Sequence, residues 1–225
     1  MLLLELDATE YLRFLEIQST IIDRKIADSF HDVLLLLEHP PTVTLGARGR
    51  LSSLTLSREE LEKLGMQVHF VDRGGEATYH GPGQLLGYPL MDLKKLKISV
   101  RDFVFRLEET VLITLRQFGL EGLRLRGKPG VWTGATDKIA SIGVRIHRRI
   151  TSHGFSLNID LGINPTSFLV CCGNPEIRMV SLNELLPNPV TMASVKPVLA
   201  SSFAEVFRVR LERTSLEEVL AVNSR

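Results

Sequence analysis

Arg73 and His80 stand in the segment Asp72 to Gln84, DRGGEATYHGPGQ, with glycines at 74, 75, 81 and 83 on both sides of Tyr79-His80. Glycine removes the Cβ, so a ligand can approach the main chain and meet its N–H donors. An apolar run, Met66 to Val71, precedes the segment and reads as a strand, and a second run, Leu85 to Leu90, follows it. A polar loop between two core strands is where sites are commonly placed. An elaborate hairpin would account for the glycines, but not for Arg73 and His80 as well.

Cys172 is a nucleophile candidate in Phe168-Leu-Val-Cys-Cys-Gly-Asn-Pro175. If that run is extended, Cys171 and Cys172 face opposite ways, one into the core and one into a pocket. Gly173 leaves Cys172 sterically open. A free thiol with pKa near ~8.5 is scarcely ionised at neutral pH and needs a basic or cationic neighbour to work. The alternative is that both thiols are small buried hydrophobes. Lys138 heads Lys-Ile-Ala-Ser-Ile-Gly143, where small residues leave room for a ligand. Such a lysine could move a proton to or from a thiol or an amine, or else be a solvated charge at a strand start. Sequence alone does not bring Lys138 to Cys172. His153 precedes Gly154 in a strand that reads as buried, either at a site or as a satisfied core histidine. His39, in Glu38-His-Pro-Pro41, is a further supporting candidate or a plain strand end. Six histidines and two cysteines show no CxxC or HExxH spacing, so the reading includes no metal.

The elements that must position these groups follow from caps and periodicity. Asp7-x-x-Glu10 suggests a capping box opening a helix to about Phe30, with Leu12, Leu15, Ile22 and Ile26 on its apolar face. Val33 to Leu37 reads as a buried strand. Ser57-x-x-Glu60 caps a short helix closed by Gly65. A long helix runs from Ser99 to Phe118, ends at Gly119, and carries the stripe Phe103, Leu107, Val111 and Leu115. Strands are expected over Ile139 to Ile146 and Ile150 to Ile159. A short helix follows Ser181-x-x-Glu184, and two more span Val198 to Phe207 and Leu216 to Val222. Without regular βαβ repeats, the order predicts an α+β fold of mixed sheets with flanking helices. No linker divides residues 1–225, so one domain is expected.

Composition excludes several classes. The 225 residues are 44% apolar, enough for a substantial core, and 27 basic against 26 acidic residues leave a net charge of +1. That balance argues against nucleic acid or an anionic membrane as partner. Met-Leu-Leu-Leu-Glu-Leu-Asp turns acidic too soon for a signal segment, and no apolar run approaches a membrane span. Adjacent cysteines do not make a disulfide framework, which suits a reducing cytoplasm.

Five segments together resemble the octanoyltransferase family, the lipoyl(octanoyl) transferases of lipoate biosynthesis. They are EHPPTVTLGARG (Glu38 to Gly49), RGGEATYHGPGQ (Arg73 to Gln84), KIASIGV (Lys138 to Val144), SHGFSLNI (Ser152 to Ile159) and CCGNPE (Cys171 to Glu176). The resemblance covers roughly Glu38 to Leu186. It implies the fold of biotin and lipoate protein ligases, and transfer of an octanoyl group from acyl carrier protein, through a cysteine thioester, to a lysine of a lipoyl domain. The acceptors would be lipoyl domains of 2-oxoacid dehydrogenases or the glycine cleavage H protein, and no cofactor is implied.

By the same carry-over Cys172 is the nucleophile and Lys138 its activating base. The acyl pocket is expected from Arg73, Gly74, Gly75, Glu76, Ala77, Thr78, Tyr79 and His80, from Ser141, Ile142 and Gly143, and from Gly154, Phe155 and Ser156. Oxyanion donors could come from Gly74-Gly75 or from Cys172-Gly173. Cys171, Asn174 and Ser156 depart from the family's usual proline, aliphatic residue and alanine. An ATP-dependent lipoate or biotin ligase is the runner-up, with Gly46-Ala-Arg-Gly-Arg50 similar to a biotin-ligase loop. A non-catalytic binder of acyl or lipoyl carrier domains comes third. Arg145, Arg148 and Arg149 could form a basic patch for acidic carriers, or a solvated strand edge.

Overall fold

The computed structural model describes residues 1–27 and 30–221, and of Cys172 only the backbone. The chain opens with β1 (Leu2–Ala8), α1 (Tyr11–Ile26), β2 (Val33–Glu38) and β3 (Thr42–Leu45). Next come α2 (Arg58–Lys63), β4 (Gln67–Phe70), β5 (Ala77–His80), β6 (Gln84–Leu90), α3 (Leu93–Leu96) and α4 (Val100–Gln117). The strands β7 (Leu123–Leu125), β8 (Lys128–Trp132), β9 (Asp137–His147) and β10 (Ile150–Asn158) form a meander. The chain continues through β11 (Arg178–Met179), α5 (Leu182–Leu185), α6 (Met192–Phe207), β12 (Glu212–Thr214) and α7 (Leu216–Leu220).

Among the described residues, a nine-stranded mixed sheet runs β12-β1-β2-β6-β10-β9-β8-β7, with β11 added beside β9. A second sheet, β4-β3-β5, joins a parallel and an antiparallel pair. The α+β reading with mixed sheets therefore holds. α4 and α6 cover one face of the large sheet. There Phe103, Leu107, Val111 and Leu115 are fully buried, as their helical spacing led one to expect, and a Ser99 capping box opens the helix that Gly119 stops. At roughly 1.5–3 kcal/mol per large apolar side chain, that stripe alone contributes about 6–12 kcal/mol before entropy is counted. α1 and α7 cover the other face over Leu35, Leu37, Leu86 and Leu90. The small sheet has its own core of Val43, Leu45, Tyr79, Trp132, Phe168 and Met179.

Several expectations are corrected. Asp7 lies in β1 and does not cap α1, whose N-cap Glu10 makes no side-chain cap bond. The run Leu2-Leu3-Leu4 pairs in parallel with β2, and burial in the sheet overrides the local capping pattern. The buried face of α1 is Tyr11, Phe14, Gln18, Ile21 and Lys25, while Leu12 is exposed. Aromatic residues at helical spacing fix the orientation of that face, and the leucines do not. The segment Asp72 to Gln84 is not one loop: Ala77–His80 forms β5, whose partner β3 was also unforeseen. Phe168 to Cys172 is not a strand but a bridge at Leu169 followed by a 3-10 turn, Cys171–Gly173. α6 begins at Met192, capped by Thr191, and holds Pro197 inside it; burial of Val195, Leu199 and Phe203 offsets the backbone bond that the proline removes. The expected end of the last helix at Val222 lies outside the described residues.

Candidate active site

A narrow slot of about 60 Å³ lies between the large sheet, the small sheet and the start of α1. Its floor is built by register. Ser156 of β10 stands opposite Leu86 of β6 on one side and Ser141 of β9 on the other, and the next row sets Gly154 opposite Gly143. Small residues on these rows line the groove, and a Cβ on Gly143 would come within 2.9 Å of the Gly74 carbonyl above it. The roof is Gly74, Gly75, Glu76, Ala77, Thr78 and His80, with Tyr11 and Tyr88 closing one side. A wider recess of about 340 Å³ adjoins it, sharing Gly75, Glu76, Lys138 and Gly143 and adding Arg48 and Lys128.

Lys138 reaches the slot because β9 carries one extra residue there. Trp132 pairs with Lys138 but Val131 pairs with Ala140, which marks a bulge. Bulges re-aim side chains. Without this one, Lys138 would share the face of Ala140 and enter the apolar core. With it, Lys138 lines the slot beside Ser141 and Gly143, with 4% of its surface exposed. Its Nζ lies 5.1 Å from the Trp132 ring centroid, and its stem lies against Gly130, where a Cβ would come within 2.7 Å of Cε.

The cysteine turn reaches the same place through β11. Met179 pairs in parallel with Lys138, and the Val180 N–H donates to the Lys138 carbonyl at 3.0 Å. The turn is fixed by the Val170 N–H on Ser53 (2.8 Å) and by Gly173 at φ +67°. A Cβ at Gly173 would stand 3.0 Å from Oε2 of Glu76, so the turn lies on the slot's wall. Cys171 is buried in the small-sheet core. The Cys172 side chain lies outside the described residues.

Arg73 organises the roof. Its guanidinium donates to the Thr44 hydroxyl and carbonyl (Nη2, 2.8 and 2.7 Å), to the Glu76 carbonyl (2.8 Å) and to the Gly74 carbonyl (Nη1, 3.0 Å). A planar fork satisfies diverging carbonyls that an ammonium could not reach together. Of the two glycine amides beside it, Gly74 donates to Val144 (3.0 Å), while that of Gly75 has no partner among the described residues. Gly81 and Gly83 do not face a ligand. A Cβ at Gly83 would stand 1.8 Å from the Asp160 carbonyl and one at Gly81 2.0 Å from the Tyr79 hydroxyl.

Three buried histidines surround the slot, all held neutral. Burial pushes His39 down to about 4. Burial first, then the Arg73 and Arg145 charges, push His153 down to about 4. His80 is driven well below its ordinary value by burial and by His39. Burial raises Tyr11 to about 12, and burial, followed by the neighbouring Tyr11, raises Tyr88 well above its ordinary value. Acceptor-only partners settle the tautomers. His39 Nδ1–H donates to the Thr9 carbonyl (2.5 Å), and its Nε2 accepts from Tyr88 (2.9 Å). His153 Nε2–H donates to Asp72 (2.9 Å), a bond to a neutral ring rather than an ion pair. The Asn158 amide donates to the Val180 carbonyl (2.9 Å), which orients Gln84 and makes His80 Nδ1 the donor to Gln84 (2.8 Å). His153 also holds φ +55° within β10, its N–H taken by Gln18 of α1 at 2.6 Å. Left-handed backbone at a non-glycine residue stores strain of a kind found at functional sites. His153 Nδ1 and the Ser156 hydroxyl are buried without partners among the described residues.

Sequence reasoning placed most of this lining, with exceptions. Tyr79 points away from the slot, because alternation on β5 puts it in the small-sheet core against Phe168. Phe155 lines the slot as expected, and it also belongs to the core on the α4 side. His39 lies behind Tyr88 and His80. Tyr11, Leu86 and Tyr88 line the slot unforeseen, and the one available signal was Tyr11 at helical spacing from Phe14, Gln18 and Ile21. Of the suggested basic patch, Arg145 pairs with Asp72 and Arg149 with Asp92.

The fold is shared with lipoate and biotin protein ligases. The bi-partite lipoate protein ligase of Thermoplasma acidophilum superposes with a TM-score of 0.74 at 16% identity, covering 97% of this chain and 89% of that one. Biotin protein ligase from Aquifex aeolicus gives 0.54 at 13% identity, over 91% and 70%. The family model of the lipoyl protein ligase A/B catalytic domain matches residues 10–204. An octanoyltransferase of Caldicellulosiruptor saccharolyticus is 35% identical over 222 residues, covering 96% of this chain and 94% of its own. One of Gloeobacter violaceus is 39% identical over 222 residues, covering 98% and 96%. The chain belongs to the octanoyltransferases, within the lipoyl protein ligase A/B catalytic-domain family.

Proposed function

We propose that this acyltransferase moves an octanoyl group from octanoyl-acyl carrier protein to the lysine of a lipoyl domain, by way of a thioester on Cys172. The observation that carries the reading is the bulge that turns Lys138 into a slot of small residues, with the Cys171–Gly173 turn on its wall. In the first step the Cys172 thiolate attacks the donor thioester carbonyl, a new C–S bond forms, and the carrier's thiolate leaves and takes a proton. In the second the acceptor amine attacks, the C–N bond forms, and Cys172 leaves as thiolate. Lys138 serves as the base that takes the thiol proton and later the amine proton. The Gly75 amide is available to the oxyanion that each step develops. The slot between Leu86, Ser141, Ser156 and Tyr88 takes the aliphatic chain.

The chemistry exchanges one acyl bond for another and calls for no cofactor or metal. The acceptors are lipoyl domains of 2-oxoacid dehydrogenases or the glycine cleavage H protein, and the reaction belongs in the cytoplasm. Residues 1–225 act as one catalytic domain. Among the described residues no helix is long and apolar enough to cross a membrane.

The test is intact-protein mass spectrometry after mixing the enzyme with octanoyl-acyl carrier protein without ATP. A hydroxylamine-labile octanoyl adduct that maps to Cys172 and disappears on adding apo lipoyl domain is expected. No adduct, with acylation of the lipoyl domain from free octanoate plus ATP, would move the chain to the ligases. Neither activity would leave it as a carrier-binding protein.

A further inference from the structure

Glu76 stands at the junction of the slot and the outer recess and lines both. Its main chain is fixed, since its carbonyl accepts from Arg73 Nη2 (2.8 Å) and from the Gly46 N–H (3.0 Å). Its carboxylate is half-buried and makes no hydrogen bond or ion pair among the described residues. Three acids of the surrounding elements are engaged. Asp72 holds Arg145 and His153, Glu108 holds Arg124 and the Gly130 N–H, and Glu38 holds the Gly83 N–H. Oε2 of Glu76 is 3.0 Å from where a Cβ would stand on Gly173, so the unengaged charge lies directly against the cysteine turn. A half-buried carboxylate without a partner costs stability unless a ligand supplies one.

The sign of the charge selects the ligand. A carboxylate beside the turn repels a thiolate and the phosphate of a carrier arm, and attracts a cation. In the reaction proposed above, the one reactant arriving with a positive charge is the acceptor lysine. We infer that the Glu76 carboxylate receives the ε-ammonium of the acceptor lysine and sets its nitrogen at the lip of the slot, facing the acyl-thioester. Glu76 binds and positions. The ammonium gives one proton to Lys138 before the nitrogen attacks, and the second, shed as the C–N bond forms, goes to the departing Cys172 thiolate. The inference rests on the acyl-transfer reading.

The experiment compares two nucleophiles on one acyl-enzyme. Enzyme is loaded with octanoyl-acyl carrier protein, freed of donor, and discharged at neutral pH with apo lipoyl domain or with hydroxylamine, which is uncharged there. Because both rates come from the same acyl-enzyme, any effect on loading cancels in their ratio. Glu76→Gln is expected to lower lipoyl-domain discharge at subsaturating acceptor at least tenfold relative to hydroxylamine. Raising the acceptor concentration should recover the rate, and Glu76→Asp should restore part of it. A ratio equal to that of the unsubstituted enzyme would overturn the inference while leaving acyl transfer intact. Failure of the unsubstituted enzyme to form any acyl-enzyme would overturn both.

Discussion

Acidification from pH 7 to pH 5 is expected to remove several kcal/mol of stability through histidine rather than through the carboxylates. His39 and His153 are neutral in the fold at about 4, against an ordinary value of 6.5. A lowered histidine means that the unfolded chain binds more protons. Its contribution is therefore complete above 6.5 and lost as pH falls from there toward 4. At pH 5 each ring is mostly protonated in the unfolded chain and mostly neutral in the native one, a loss of about 2 kcal/mol per ring and about 4 for the two. His80 acts in the same direction. The capped carboxylates Glu60 and Glu218 are held below their ordinary range, first by the backbone N–H of Ser57 and Ser215, and so titrate below this window. Urea unfolding at both pH values is the assay. With a slope of roughly 2–3 kcal/mol per M, the midpoint should fall by roughly 1–2 M. His39→Gln and His153→Gln should each shrink the difference between the two pH values by about 2 kcal/mol, whatever they do to stability at pH 7. A midpoint unchanged between pH 7 and pH 5, or a difference that neither substitution reduces, would refute the reasoning.

Three further outcomes can be checked separately. Cys172→Ser should abolish turnover and the octanoyl adduct, whereas Cys171→Ser, in the small-sheet core, should keep most turnover with a lower melting temperature; the reverse pattern in steady-state assays would reassign the nucleophile. Arg73→Lys keeps the charge but strands oxygens of Thr44, Gly74 or Glu76, at about 1–3 kcal/mol per buried group, so the melting temperature should drop although the net charge is unchanged. Gly83→Ala puts a methyl 1.8 Å from the Asp160 carbonyl at φ +79°, and circular dichroism should show a fold destabilised by more than an exposed Gly→Ala change at Gly127, where nothing lies within 4 Å.

The helices whose ends are written locally were legible. Ser57-x-x-Glu60 and Gly65, or Ser99 and Gly119, carry both cap and stop within the chain's own neighbourhood, and the structure has capping boxes and positive-φ glycines there. Asp7-x-x-Glu10 has the same local pattern and failed. Leu2 to Leu4 gain parallel ladders to both β2 and β12, contacts with residues more than twenty positions away that no window of sequence contains. β3 and β5 were missed for the same reason, since each is four residues long and is defined by the other. Local chemistry fixes a cap within one turn, while a strand exists only with its partner.

The site shows the same division at finer grain. Residue types in RGGEATYH, KIAS and HGFS identified a pocket, yet which side of its backbone each residue faces depended on features without a sequence signature. One inserted residue between Lys138 and Ala140 decides whether the lysine faces the slot or an apolar core. Two-residue alternation on β5 sends Tyr79 one way and Thr78 and His80 the other. Glu76 follows from both. It is the last residue before β5, so its carbonyl is bound into the roof, and its side chain emerges where no strand partner covers it, against the cysteine turn. The resemblance names Glu76 as part of the acyl pocket without saying what its carboxylate faces. The structure sets it between the two cavities, a placement that neither composition nor spacing could supply.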